Sequence, residues 1–308
     1  MLSRFRREIA AVELYGKLPI AKDYLRVGGG EESGLALRDW LDRGFSPTSD
    51  AEHRPLLAWP GRFVLGALGG DPVMGCCWPS SDSGGLRPFP FSAFISRRRK
   101  PLLSAWEHGG ADLRPLWEQL VGVFTAHRSY GDGGSFLASM RGQSIPVPKP
   151  SGTSPQRVDF DLWVSAAFPE GGQDQLVDIL TALRALPRQE DPIRLPLVAG
   201  LPAIPQVHAW WVALTELGLC PQGQVPNVFF PLQGGETMAP QFATFLTGPL
   251  RPDHQPWLAP PESKLGPGDH APHAIRAVED FAPVSEATPP LAESMRGPLI
   301  SARARTLR

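Results

Sequence analysis

Ser80 and Asp82 are the first pair to weigh for chemistry. A hydroxyl and a carboxylate in one turn-rich run can join a distant histidine as a nucleophilic triad, since such triads are spatial rather than sequential. They sit in Trp78-Pro79-Ser80-Ser81-Asp82-Ser83-Gly84-Gly85-Leu86-Arg87-Pro88-Phe89-Pro90. No G-x-S-x-G elbow occurs, and the seven histidines are scattered at 53, 108, 127, 208, 254, 270 and 273. In the competing reading Ser80 and Asp82 bond to their own loop backbone, as turn-formers do. His270 and His273 could hold a metal as a pair, but no third ligand is near them in sequence. The glycine clusters at Gly28–Gly30 and Gly66–Gly70 match neither phosphate-binding pattern, and Asp71 follows the second where a phosphate would be repelled. Lys17 lacks the flanking glycine and Ser/Thr of a P-loop. These residues imply no catalytic centre, no metal and no cofactor, so the expectation is a protein that is not an enzyme. The alternative is a hydrolase with an unrecognised Ser/Asp site in the 79–90 loop.

Composition narrows the partners. The chain has 308 residues, 42% of them hydrophobic, and Lys+Arg 30 against Asp+Glu 31 leaves a net charge of -1. Nucleic-acid binding needs an excess of cations to neutralise phosphates, and none exists here. The one basic cluster, Arg97-Arg98-Arg99-Lys100, reads as a solvated strand end before Pro101. Cys76, Cys77 and Cys220 form no C-x-x-C pair and suggest neither zinc nor a disulfide framework, which fits a reducing compartment. Glu8 and Glu13 interrupt the basic start, no apolar run has signal-peptide length, and no window approaches the apolar length of a membrane span. The expectation is a cytoplasmic protein without membrane insertion.

The apolar pattern supplies the elements that must hold these residues. Strands are expected at Val12–Tyr15, Arg62–Leu68, Val73–Trp78 and Phe89–Ile95. A helix at Gly34–Arg43 places Leu37, Trp40 and Leu41 on one face with Gly44 as its cap. Leu113, Leu116, Trp117, Leu120, Val121 and Phe124 mark a second helix, with Pro115 in its first turn. Residues 142–156, rich in Pro, Lys and Ser, read as a linker. Beyond it come a strand at Val158–Val164, a helix about Leu176–Leu183, a strand at Ile193–Ala199, a helix at Val207–Leu217, a strand at Val225–Leu232 and a helix at Thr237–Leu246. Pro196 would confine its strand to a sheet edge. Trp210 and Trp211 cannot both face the core of one helix, so one of them meets another helix, the tail or a partner. Ten of the 58 residues from Arg251 on are proline, and this tail reads as disordered.

The fold class is therefore α/β (α+β), with a mainly antiparallel sheet flanked by helices in the N-terminal part. The divisions are an N-terminal domain over 1–141, the linker over 142–156, a second α/β part over 157–250, and the proline-rich tail over 251–308.

Two runs carry a family resemblance. The first is Tyr15-Gly16-Lys17-Leu18-Pro19-Ile20-Ala21-Lys22-Asp23-Tyr24-Leu25-Arg26, an aromatic-Gly-Lys-Leu-Pro start followed by an Asp-aromatic pair. The second is the 78–90 run, with Pro-Ser-x-Asp-x-x-Gly, then arginine and Phe-Pro. Together they resemble the TagF/ImpM family of type VI secretion-associated proteins, and Asn227-Val-Phe-Phe-Pro-Leu with Phe242 and Phe245 resembles its C-terminal aromatic strand and closing helix. Two positions depart: Lys22 stands where the family has glycine, and Leu86 intervenes between Gly85 and Arg87. An extra residue at a turn re-aims the side chains after it. The resemblance implies a cytoplasmic accessory protein, a post-translational repressor of secretion-system assembly that acts with a forkhead-associated-domain protein. Charged groups set in these Gly/Pro-rich runs, in a chain with no enzyme signature, make Gly16, Lys17, Pro19, Asp23, Ser80, Asp82 and Arg87 the expected partner-binding residues, in two loops expected to lie side by side.

Overall fold

A computed structural model describes residues 9–28, 30–45, 60–66, 68–107, 113–147, 164–165, 168, 172–185, 192–197, 201–232, 241–248 and 250–251. Its strands are β1 (Ile9–Ala11), β2 (Glu13–Gly16), β3 (Leu25–Val27), β4 (Gly61–Leu65), β5 (Val73–Trp78), β6 (Phe91–Ser96), β7 (Ser144–Pro146), β8 (Pro192–Leu197), β9 (Val228–Pro231) and β10 (Gln241–Leu246). Its helices are α1 (Glu32–Gly44), α2 (Arg99–Glu107), α3 (Arg114–Ala126), α4 (Gly133–Met140), α5 (Gly172–Ala185) and α6 (Ala203–Glu216). Eight strands form one sheet in the order β3-β2-β6-β5-β4-β9-β10-β8, while β1 and β7 pair separately. Every strand pairing among the described residues is antiparallel. The mixed α/β class with an antiparallel sheet flanked by helices is what the apolar pattern implies.

Both faces of the sheet are covered. On one face Val64, Phe91, Ala93, Val228 and Phe245 meet Trp106 of α2, Trp117 and Leu120 of α3, Phe136 of α4 and Trp210 of α6. On the other, Phe63, Leu65, Phe94 and Phe229 pack with Leu37, Trp40 and Leu41 of α1. The i, i+3, i+4 stripe read in α1 is thus its buried stripe. The adjacent Trp210 and Trp211 are both buried. Trp211 solves its geometry by meeting Trp106 of α2 edge-on at 6.4 Å, a helix–helix contact.

Several local expectations are corrected. Residues expected to close the fold as a helix form strand β10 instead. Its centre is covered on both sides, Ala243 and Phe245 in one core and Leu246 in the other, so the polar/apolar alternation that marks a half-buried strand is missing. The described strands after residue 190 join the N-terminal sheet: β9 pairs with β4 from Gly61↔Pro231 to Val64↔Val228. Pro196 does lie in an edge strand of that sheet. Ser144–Pro146, inside the expected linker, pairs with β1. Arg97 is buried, and Arg99 opens helix α2 with Pro101 in its first turn, where a missing N–H has no intrahelical role. Gly44 is the last helical residue of α1, and Phe45 takes the cap position. Strands β1 and β3 and helix α4 are too short for periodicity to reveal. The expected 158–164 strand, apart from Val164, and the tail beyond Arg251 lie outside the described residues.

Candidate functional site

The register of β2 against β6 positions the two signature runs. Gly16 pairs with Phe91, so the chain leaving β2 and the chain entering β6 emerge side by side at one end of the sheet. Gly16 has φ +130, and a Cβ there would lie 2.0 Å from the Pro90 carbonyl oxygen. Only glycine allows this approach.

From there the loops are stitched together. The Ser83 N–H donates to the Ala21 carbonyl at 2.8 Å. The Lys17 ammonium donates to the Arg87 carbonyl at 3.5 Å. Arg87 donates to the Lys22 carbonyl and faces Asp23 at 3.7 Å. The first loop is anchored at its far side as well, where the Gly133 N–H at the start of α4 donates to the Ile20 carbonyl at 2.8 Å. Asp132 caps that helix through the Ser135 N–H at 2.9 Å.

Asp82 is the clasp of the second loop. Its side chain is 5% exposed, and both carboxylate oxygens are engaged. One accepts the backbone N–H groups of Leu86 at 3.1 Å and Arg87 at 3.5 Å. The other takes the Arg87 Nε–H at 2.5 Å. The Gly85 N–H closes the turn on the Asp82 carbonyl at 2.9 Å, and the Phe89 N–H reaches the Ser80 carbonyl at 3.0 Å. The Arg87 bond, helped by the backbone N–H donors, holds the Asp82 carboxyl below the usual aspartate range. The inserted Leu86 does not divert Arg87 from this pair; the turn absorbs it by projecting Leu86 outward, 85% exposed.

Beneath the loops lies an aromatic trio. Tyr15 stacks on Tyr24 at 5.7 Å, and Phe89 meets Tyr24 edge-on at 4.7 Å and Tyr15 at 5.9 Å. The Lys17 ammonium sits 4.8 Å from the Tyr24 ring centre, a cation–π arrangement. Burial, with the neighbouring Arg87 charge, lowers the Lys17 pKa. Of the residues picked from sequence, Gly16, Lys17 and Asp82 are buried, Ser80 is half-buried, and Pro19, Asp23 and Arg87 are exposed. The described histidines are elsewhere: His127 bonds to the Phe124 carbonyl and His208 packs beside Trp211. Among the described residues no cluster of three or more His, Cys, Asp or Glu could hold a metal, and no helix is long and apolar enough to cross a membrane. His270 and His273 lie outside the described residues.

Sequence reasoning missed a second polar group. Glu13, in β2, is buried and meets Arg38 of α1 at 3.4 Å. Ser96 donates to Glu13 at 3.0 Å, and Arg38 also reaches the Val27 carbonyl at 3.2 Å. Burial raises the Glu13 pKa against the pull of Ser96 and Arg38. The signal was present, because a carboxylate inside an apolar strand must find a buried partner.

Residues 13–126, which hold both loops, match the family model described as TagF N-terminal domain, Type VI secretion system-associated. Over that segment the chain carries a TagF N-terminal domain. No curated protein sequence matches the chain. Among solved structures, the crystal structure of PA0076 from Pseudomonas aeruginosa PAO1 is similar with a TM-score of 0.46 and 15% identity, covering 91% of this chain and 100% of that one.

Proposed function

We propose that this chain is a non-enzymatic cytoplasmic accessory protein of type VI secretion, acting after translation as a repressor of assembly. Its partner in this reading is a forkhead-associated-domain protein, bound through the end of the sheet where the 17–25 and 79–90 loops meet. The TagF N-terminal domain links the chain to the secretion system. The observation that carries the reading is the Asp82 clasp. A carboxylate bonded to Arg87 and to two backbone N–H groups organises a loop and is poorly placed as a base. What it leaves facing water is a surface of Pro19, Asp23, Leu86 and Arg87.

The test is made in the producing bacterium. Overproduction should reduce the number of assembled sheaths, and deletion should raise it at unchanged transcript levels. A protein that leaves sheath number untouched in both directions is no repressor. Turnover of a generic ester, phosphate or peptide substrate that disappears in Ser80→Ala would overturn the non-enzymatic reading.

A further inference from the structure

We propose that Leu86 is an apolar knob that inserts into a pocket of the partner protein, a pocket rimmed by acidic side chains. This rests on the reading above and names the chemistry of its contact. Single exposed leucines are common on protein surfaces and carry no message by themselves. This one differs in its support. Its own N–H is held by Asp82 at 3.1 Å, and the turn before it is closed by the Gly85 N–H on the Asp82 carbonyl at 2.9 Å. Ser81 and Pro88 bridge the loop at its base. Arg87, the next residue, is tied to Asp82 and to the neighbouring loop. Gly85, at φ +67, makes the outward turn possible. The Asp82 carboxylate is turned inward and Leu86, the loop's one large aliphatic side chain, outward, 85% exposed. A rigid loop loses little freedom on binding, which is what makes such a side chain an effective anchor.

The rim sets the charge of the partner. Arg87 follows Leu86 and donates to the Lys22 carbonyl, so the exposed Arg87 and Lys22 flank the tip, and the buried Lys17 ammonium reaches the Arg87 carbonyl, against Asp23 and the buried Asp82 as counter-charges. A half-exposed Tyr24 extends the apolar spot. An acidic rim around an apolar socket complements this arrangement. A lipid surface is the poorer fit, since one leucine supplies little apolar area to insert.

The experiment uses the full chain and the forkhead-associated-domain protein of the same secretion system in a calorimetric titration. Leu86→Ser should weaken binding about tenfold or more, and adding Lys22→Glu should weaken it further and reduce its salt dependence. Amide exchange at residues 85–87 checks that the loop stays closed in Leu86→Ser. Wild-type binding with an unaltered affinity in Leu86→Ser overturns the knob and leaves the proposed function standing. Absence of wild-type binding overturns the partner reading and the knob together. Leu86-dependent flotation with phosphatidylglycerol/phosphatidylethanolamine vesicles would overturn the protein pocket in favour of a membrane.

Discussion

Trp40 donates its indole N–H to the Arg251 carbonyl at 2.7 Å, joining helix α1 to a residue 211 positions later. The same ring stacks on Phe229 of β9 at 5.7 Å, and Leu250 packs into the core beneath α1. The last described residues are therefore part of the body. A chain ending at Arg251 should keep the melting temperature of the full-length protein within a few degrees. One ending at Gly248 loses the Leu250 packing and the acceptor for Trp40, at about 1–3 kcal/mol. That corresponds to a drop of roughly 2–10 °C in differential scanning calorimetry. Equal melting of the two truncations would show the contact to be idle.

The Asp82 clasp makes a pH-dependent prediction. Its folded pKa is lowered, so its stabilisation is complete above the unfolded value of 3.8 and fades as pH falls through the folded value. Wild type and Asp82→Asn should differ in urea midpoint at neutral pH and converge in acid. At neutral pH the Leu86 and Arg87 amides should exchange faster in the variant. A gap that persists unchanged in strong acid would assign the effect to something other than this carboxylate.

Glu13 and Arg38 should behave as a buried pair. Removing one partner, as in Arg38→Met, leaves a buried charge and should cost about 3–5 kcal/mol in urea unfolding. The double variant Glu13→Gln, Arg38→Met should recover a substantial part of that loss. Additive losses would mean that the pair is not coupled.

Gly16→Ala should be severe. The added methyl meets the Pro90 oxygen at 2.0 Å with φ already at +130, so strand β2 and the loop entering β6 must separate. A loss on the order of 2–4 kcal/mol, or failure to accumulate soluble protein, is expected. A melting temperature equal to wild type would show that the close approach is dispensable. The role of Gly16 is thus to let the loops meet, whatever the loops bind.

The residue order by itself determined the strands β4, β5 and β6, the buried stripes of α1 and α3, and the two loops. Each of these is a local matter of apolar spacing or turn chemistry within one short window. It also determined that Pro196 belongs at an edge, because a residue without an N–H cannot serve two ladders. Tertiary structure alone decided that β9 docks on β4, so that both halves share one sheet, and that residues 241–246 are a strand. Long-range backbone pairing leaves no local periodic mark, and a strand buried on both faces has no alternation to read. The same holds at the site. Sequence placed Asp82 and Arg87 in one loop, but the register of Gly16 against Phe91 brought the other loop beside them. Only that closure shows Asp82 turned inward as a clasp and Leu86 turned outward, because the direction of a side chain in a turn is set by the hydrogen bonds that the surrounding chain offers it.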